Sequence, residues 1–311
     1  MEQLAEDFRC APWTQRQGVD PVGSASPFDA LLLVEWPLPW PPDVSEIPEL
    51  AEAAADPRAT VMAVVPREGS DVGAARVVHH RRAGTHRLVG VDHVVPRADV
   101  PALLAELLED AGADSSGRPS AVGEAPPEVL VCGHGRRDPC CGRWGTLLHA
   151  ELLVRVPDVR VWRCSHTGGH RFAPTAIMLP IGRAWAWTDA DLLVGVLERS
   201  AEVVDLAPHD RGSVALPMWA QPVERELFVQ QGWAWLDAEL TSVAVDVADD
   251  RRSAHVELQW HIEGAAWSAI ADVSATRDVP VLVCGEPPEA AKKSSLELEV
   301  ASLVVAGSER P

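Results

Sequence analysis

Tyrosine is absent from this chain of 311 residues, and its aromatic content rests on twelve tryptophans and four phenylalanines. Core packing is the expected use of the tryptophans. Positive charge is scarce too: 27 Lys and Arg face 46 Asp and Glu, a formal net charge of −19. That balance argues against nucleic acid or an anionic membrane as partner, since both require a basic footprint. No apolar run approaches the length that spans a bilayer. The opening "MEQLAEDFRCAPWTQRQG" lacks the apolar h-region of a signal peptide. A cytoplasmic protein without membrane contact is expected. Cysteine is sparse, six in all. In a long chain of that compartment, six do not read as a disulfide framework. Clustered ones point to metal or redox chemistry.

The length exceeds what one core usually organises, so more than one domain is expected. "DALLLVEW" (29–36) is a strand stopped by "PLPWPP", and "SEIPELAEAA" (45–54) reads as a helix with Ser45 as N-cap. "TVMAVVP", "ARVVHH" and "HRLVGV" read as strands, and 98–112 as an amphipathic helix. After a small, polar, Pro/Gly-rich linker at 113–127 the same β-α-β-β-β-α order returns. It runs through "EVLVC", a helix at 144–156, "VRVWRC", "TAIMLP", "RAWAW" and a helix at 188–200. Such an order belongs to a thioredoxin-like unit. The expected fold class is therefore α/β, with two tandem thioredoxin-like units. Residues 1–124 form the first, without metal; residues 125–235 form the second and carry the site. A helix follows at 216–232, where Pro222 should restrict or kink the first turns. Residues 236–311 alternate through "TSVAVDVAD", "AHVELQWHI", "AAWSAIADV", "PVLVCG" and "LELEVASLVV" and form a small β-rich appendage.

The soft ligands gather in two loops. "VCGHGRRDPCCGRWG" holds Cys132 at a strand end and Cys141 nine positions later, at the start of a helix. "CSHTGGH" follows the next strand and holds His166 and His170. Gly168 and Gly169 between the histidines favour a tight loop over a helix. They also offer no side chains to cover the imidazole rings, so exposed second nitrogens are expected. In a thioredoxin-like unit both loops lie at one end of the sheet. Two thiolates and two imidazoles bind zinc tetrahedrally or a [2Fe–2S] cluster. Spacing leaves both open, although the long gap between the cysteines suits the wider cluster.

"CGHGRRDPCCG" with "CSHTGGHRFAPTAIMLP" closely resembles the sucrase/ferredoxin-like family, thioredoxin-like ferredoxins related to the yeast Apd protein. "PVGSASPFDALLLVEWPLPW" and "HDRGSVALPMWAQPVERE" extend the resemblance over roughly residues 20 to 235. It implies a [2Fe–2S] cluster held by Cys132, Cys141, His166 and His170. It also implies a role at the cluster for Arg137 and Asp138, where Arg donors and the loop's backbone N–H groups hydrogen-bond the cluster sulfurs, and that Arg171 with Phe172 orders and shields the histidine loop. The word sucrase in the family description implies no activity here.

The expected function is electron transfer, with redox donor and acceptor proteins that the sequence does not identify. The protein is read as a carrier rather than an enzyme with its own substrate. Two rivals stand beside it. One is a zinc-stabilised binding module with the same four ligands. The other is a thiol-disulfide oxidoreductase using Cys140 and Cys141, weakened because a redox pair is usually C-x-x-C. Cys140 is an alternative to Cys141, and Cys164 either packs beside the ligands or replaces one. His134 reads as a loop histidine. Cys10 and Cys284 are isolated in the sequence and read as buried inert thiols.

Overall fold

A computed structural model describes residues 8–67 and 69–307. Residues 1–7, on which the signal-peptide reading partly rests, and 308–311, the end of the expected appendage, lie outside the described residues. The fold is mixed α/β, with one ten-stranded sheet, one four-stranded sheet and seven α-helices among the described residues. Helix α1 (Cys10–Arg16) precedes strands β1 (Ala30–Glu35), β2 (Thr60–Val64), β3 (Ala74–Ala83), β4 (Arg87–Pro96) and β5 (Ala121–Glu124). Helices α2 (Ala51–Ala55) and α3 (Val100–Glu109) lie between them in sequence. Strands β6 (Glu128–Cys132), β7 (Arg160–Cys164), β8 (Ala176–Leu179), β9 (Arg183–Trp185) and β10 (Asp210–Ser213) follow. They alternate with helices α4 (Thr146–Arg155), α5 (Ala190–Leu197) and α6 (Val203–Leu206). Helix α7 (Ala220–Gln231) leads to β11 (Glu239–Val247), β12 (Ser253–Ile262), β13 (Ala265–Pro280) and β14 (Ser294–Gly307).

The large sheet runs β10-β9-β8-β6-β7-β2-β1-β3-β4-β5. In each half the first two strands are parallel, while the third lies antiparallel on the other side of the first. The halves meet through β2 and β7, antiparallel, with Val64 opposite Cys164. Main-chain bonds from Val65 to Arg163 and from Ser165 to Ala63 close this seam. Strands β1 and β6 are buried at every position, as expected of central strands covered on both faces. Alternation along β1 sends Leu32 and Val34 to a core with α3, and Leu31 and Leu33 to one shared with Leu130 and Trp162 of the second half. The four-stranded sheet buries Val256, Leu258 and Trp260 against Val223 and Leu227 of α7. No described helix is long and apolar enough to cross a membrane.

A buried polar network joins the halves on one face. Glu128 of β6 bonds the ring of His80 from β3 at 2.5 Å and accepts from the Trp162 indole at 2.7 Å. Arg160 pairs with Glu128 at 2.8 Å and with Asp92 of β4 at 2.7 Å. Burial pushes the Glu128 carboxyl up, but His80, Arg160 and Trp162 together hold it below the usual carboxylate range.

Several sequence expectations shift. The helix read at 45–54 is a 3₁₀ turn, Val44–Glu46, followed by the short α2. Asp43, not Ser45, makes the capping box. Pro48 lacks the N–H that a continuous helix would use. The linker at 113–127 contains β5, and β10 was not read from the sequence at all. "PVLVCG" is no separate strand: β13 ends at Pro280 and the rest is a loop. Pro222 sits third in α7, within the first turn, where its missing N–H costs nothing.

Candidate metal centre

The cysteine loop leaves the end of β6 and enters a helix that begins with a π-turn, Cys141–Gly145, before continuing as α4. A Cβ on Gly145 would lie 1.8 Å from the Cys132 carbonyl oxygen. Only glycine lets this turn sit against the strand end, and that contact brings Cys141 back beside Cys132. Asp138 fixes the entry: its Oδ1 accepts from the backbone N–H of Cys140 at 2.9 Å and of Cys141 at 3.1 Å.

The histidine loop leaves the end of β7, the strand beside β6, so both loops lie at one end of the sheet. Gly168 and Gly169 have φ of +79° and +67°. A Cβ on Gly169 would meet the Arg211 guanidinium at 2.4 Å. Arg211 is fully buried and donates to the Gly168 carbonyl at 3.2 Å, the Ser24 carbonyl at 2.6 Å and the Ser24 hydroxyl at 3.1 Å. It thus ties the histidine loop to the segment before β1.

The thiol of Cys132 is held well below its usual range, first by a hydrogen bond from Cys141, against burial, then by His166 and the Thr167 N–H. Cys141 is pushed well above its usual range by the same contact with Cys132 and by burial. The two opposite shifts come from one contact, so they belong to the pair and place the two sulfurs side by side. The His166 and His170 ring centroids are 5.9 Å apart. Cys132, Cys141 and His166 therefore meet, with His170 next to His166. Nδ1 of His166 is buried without a hydrogen-bond partner. An unpaired buried ring nitrogen is costly, and a metal ion satisfies it. The donor set fits a metal: two thiols and two imidazoles, one pair on each loop.

The second nitrogen of His170 is not open to solvent as the glycine pair suggested. Both histidines are half-buried, and His170 donates Nε2–H to the Leu282 carbonyl at 2.7 Å. The tail supplies the cover that the loop lacks.

The other sequence candidates lie around the two loops. Arg137 is exposed and turned away, donating to the Pro42 carbonyl at 3.2 Å and to Asp43 at 2.8 Å. It ties the loop to the first half. Asp138 holds amides, and its second oxygen accepts from the Cys10 thiol at 3.5 Å. Arg171 is buried over the Phe172 ring and donates to Ser295 of β14 at 2.6 Å. The guanidiniums that act on Cys132 are Arg211 and Arg163. Arg163 donates to the Gly133 carbonyl at 3.0 Å, as Arg211 does to the Gly168 carbonyl. Sequence reading missed both, although Arg163 precedes Cys164 and Arg211 lies in the "HDRGSVALPMWAQPVERE" stretch. His134 donates to the Pro41 carbonyl at 2.7 Å and packs edge-on against Trp40, as a loop histidine. Cys164 lies opposite Cys132 in register, with burial pushing its thiol far up.

Cys140 and Cys141 part company. Cys141 faces Cys132, whereas the Cys140 sulfur is 3.2 Å from that of Cys284, which is 3.4 Å from that of Cys10. Cys10, Asp138, Cys140 and Cys284 thus form a group of four potential metal ligands whose donor atoms lie within 4.8 Å of one another. The two cysteines isolated in sequence are neighbours in space.

Residues 21–205 match the family described as sucrase/ferredoxin-like. The chain belongs to that family. Within this sucrase/ferredoxin-like chain, 49 residues are 43% identical to altered inheritance of mitochondria protein 32 of Kluyveromyces lactis. The match covers 16% of this chain and 15% of that protein, so the chain spans a small part of its relative's length. No solved structure matches.

Proposed function

We propose that this protein transfers electrons through one [2Fe–2S] cluster held by Cys132, Cys141, His166 and His170. The observation that carries the reading is the meeting of Cys132 with Cys141 and His166, with His170 adjacent, where two strands end side by side. Such a cluster, when bound, accepts and gives up one electron at a time. The rest is done by the chain. Imidazoles are neutral where thiolates are anionic, so the ligand set resists added negative charge less than four cysteines do. Arg211 and Arg163 add positive charge near Cys132. Burial lowers the Arg211 guanidinium to about 10, still well above neutrality, so it stays charged. The Leu282 carbonyl fixes the His170 ring by binding its second nitrogen, as outer partners of metal-bound histidines do. The partners are a redox donor and an acceptor protein.

The same reading treats 1–124 and 125–235 as thioredoxin-like units and 236–311 as an appendage. The repeated strand order supports it. Cys10 departs from it, because it belongs by sequence to the first unit but packs with the cysteine loop of the second.

Iron, acid-labile sulfide and visible absorption of anaerobically purified protein test the proposal. Equal iron and sulfide and a red-brown colour are expected, lost in Cys132→Ser and Cys141→Ser. A colourless protein with zinc at these four residues would make the chain a zinc-stabilised binding module instead. The vicinal thiol-disulfide reading loses support from the divergent contacts of Cys140 and Cys141.

A further inference from the structure

We infer that Cys10, Cys140, Cys284 and Asp138 form a second metal site, a mononuclear zinc site separate from the cluster ligands. Its donors come from three distant stretches: α1, the cysteine loop and the loop between β13 and β14. Cys10 and Cys284 are 274 positions apart, yet their sulfurs are 3.4 Å apart. Three buried or half-buried thiols and a carboxylate gain little from sitting together without a partner, and each pays for leaving water. A shared divalent cation repays that cost.

The spacing selects one metal atom rather than two. Tetrahedral zinc with sulfur at about 2.3 Å puts its ligand atoms about 3.8 Å from one another. Here the contacts are 3.2 Å, 3.4 Å and 3.5 Å, with every pair inside 4.8 Å. The three contacts lie within about 0.6 Å of that spacing. A disulfide is the competing use of close sulfurs, but its bond is about 2.05 Å and joins two atoms. A Cys140–Cys284 bond would strand Cys10 beside Asp138. Arg171, buried close enough to Cys10 for the two charges to attract, offsets the excess negative charge.

Asp138 is shared between the two centres. Its Oδ2 faces the zinc ligands while its Oδ1 stays on the amides of Cys140 and Cys141. Leu282, whose carbonyl holds His170, is two residues from Cys284. Zinc therefore clasps α1 and the β13–β14 loop onto the cysteine loop and sets the latter loop against His170.

Metal analysis of the full-length chain tests this, with zinc and iron measured on the same sample. One zinc per chain is expected, retained in Cys132→Ser whether or not iron is lost. In Cys10→Ser and Cys284→Ser, zinc affinity should drop roughly tenfold or more, the scale set even by loss of an outer partner. Cys284→His should restore it. Peptide-resolved alkylation of the wild type needs no variant to fold: Cys10, Cys140 and Cys284 should be protected until zinc is chelated. Wild-type protein without zinc, a Cys140–Cys284 disulfide, labelling indifferent to chelator, or zinc lost only with Cys132 would each overturn the inference. Iron reports on the cluster proposal separately, so the two can fail independently.

Discussion

Arg211 lies under Gly169, at a distance where a single added methyl group would collide with its guanidinium. The histidine loop is thus held by a side chain that arrives from β10, on the outer edge of the sheet. Gly169→Ala forces both that collision and an αL backbone on alanine. A destabilisation of about 1–3 kcal/mol is expected, with lower iron retention. Denaturant unfolding and iron content measure it. A variant as stable and as iron-rich as wild type would mean the loop tolerates the shift.

Cys140→Ser should keep the visible absorption that Cys141→Ser loses. The two cysteines are adjacent, so a general disturbance of the loop would affect both alike. Parallel spectra of the two variants separate ligand loss from loop damage. Loss of colour in Cys140→Ser with retention in Cys141→Ser would reverse the assignment.

Glu128→Ala should destabilise the fold by about 3–5 kcal/mol, because it leaves Arg160 buried beside His80 with a major partner gone. Urea midpoints measure the loss. Since the network spans both halves, unfolding should remain a single transition at lower denaturant. A change within about 0.5 kcal/mol, the range of ordinary surface substitutions, would show that the ion pairs carry no net stability.

Acid should weaken the first half through His79. Its Nε2–H donates to the Ala111 carbonyl at 2.9 Å, and its Nδ1 accepts from Ser115, leaving no room for a second proton. Burial lowers this imidazole from 6.5 to about 4. Above pH 6.5 neither folded nor unfolded chain is protonated there, so stability is fully present. Between pH 6.5 and 4 the unfolded chain binds a proton that the folded chain refuses. Stability then falls by up to about 1.4 kcal/mol per pH unit and levels off below 4. His93, held down by burial and sharing Ser115, acts in the same direction. Urea midpoints across this range, with His79→Gln as control, isolate the contribution. An unchanged slope in the control would assign the acid sensitivity elsewhere.

The two ligand loops were legible because each follows its strand directly in sequence. Cys132 and Cys164 end neighbouring parallel strands, so strand order alone puts their loops at one end. Cys10 and Cys284 were not legible. Their contact joins positions 274 apart and leaves no periodicity or spacing in either neighbourhood. Strands β5 and β10 have four residues each, too few for alternation to register. The family resemblance points to Arg137, but a position in the sequence does not fix where its side chain turns. Direction decides otherwise: Arg137 leaves toward Asp43, while Arg211, far along the chain, returns to the loop.

Strands β2 and β7 are each the second strand of their half, and they meet antiparallel. Like meets like, as across the twofold axis of a homodimer, so the large sheet has the form of a dimer written into one chain. Each half covers the other's inner edge. What remains at the rims are β5 and β10, too short to recruit another long strand. Because the halves are not obliged to be identical, one carries the cysteine and histidine loops while the other carries the buried histidines His79, His80 and His93.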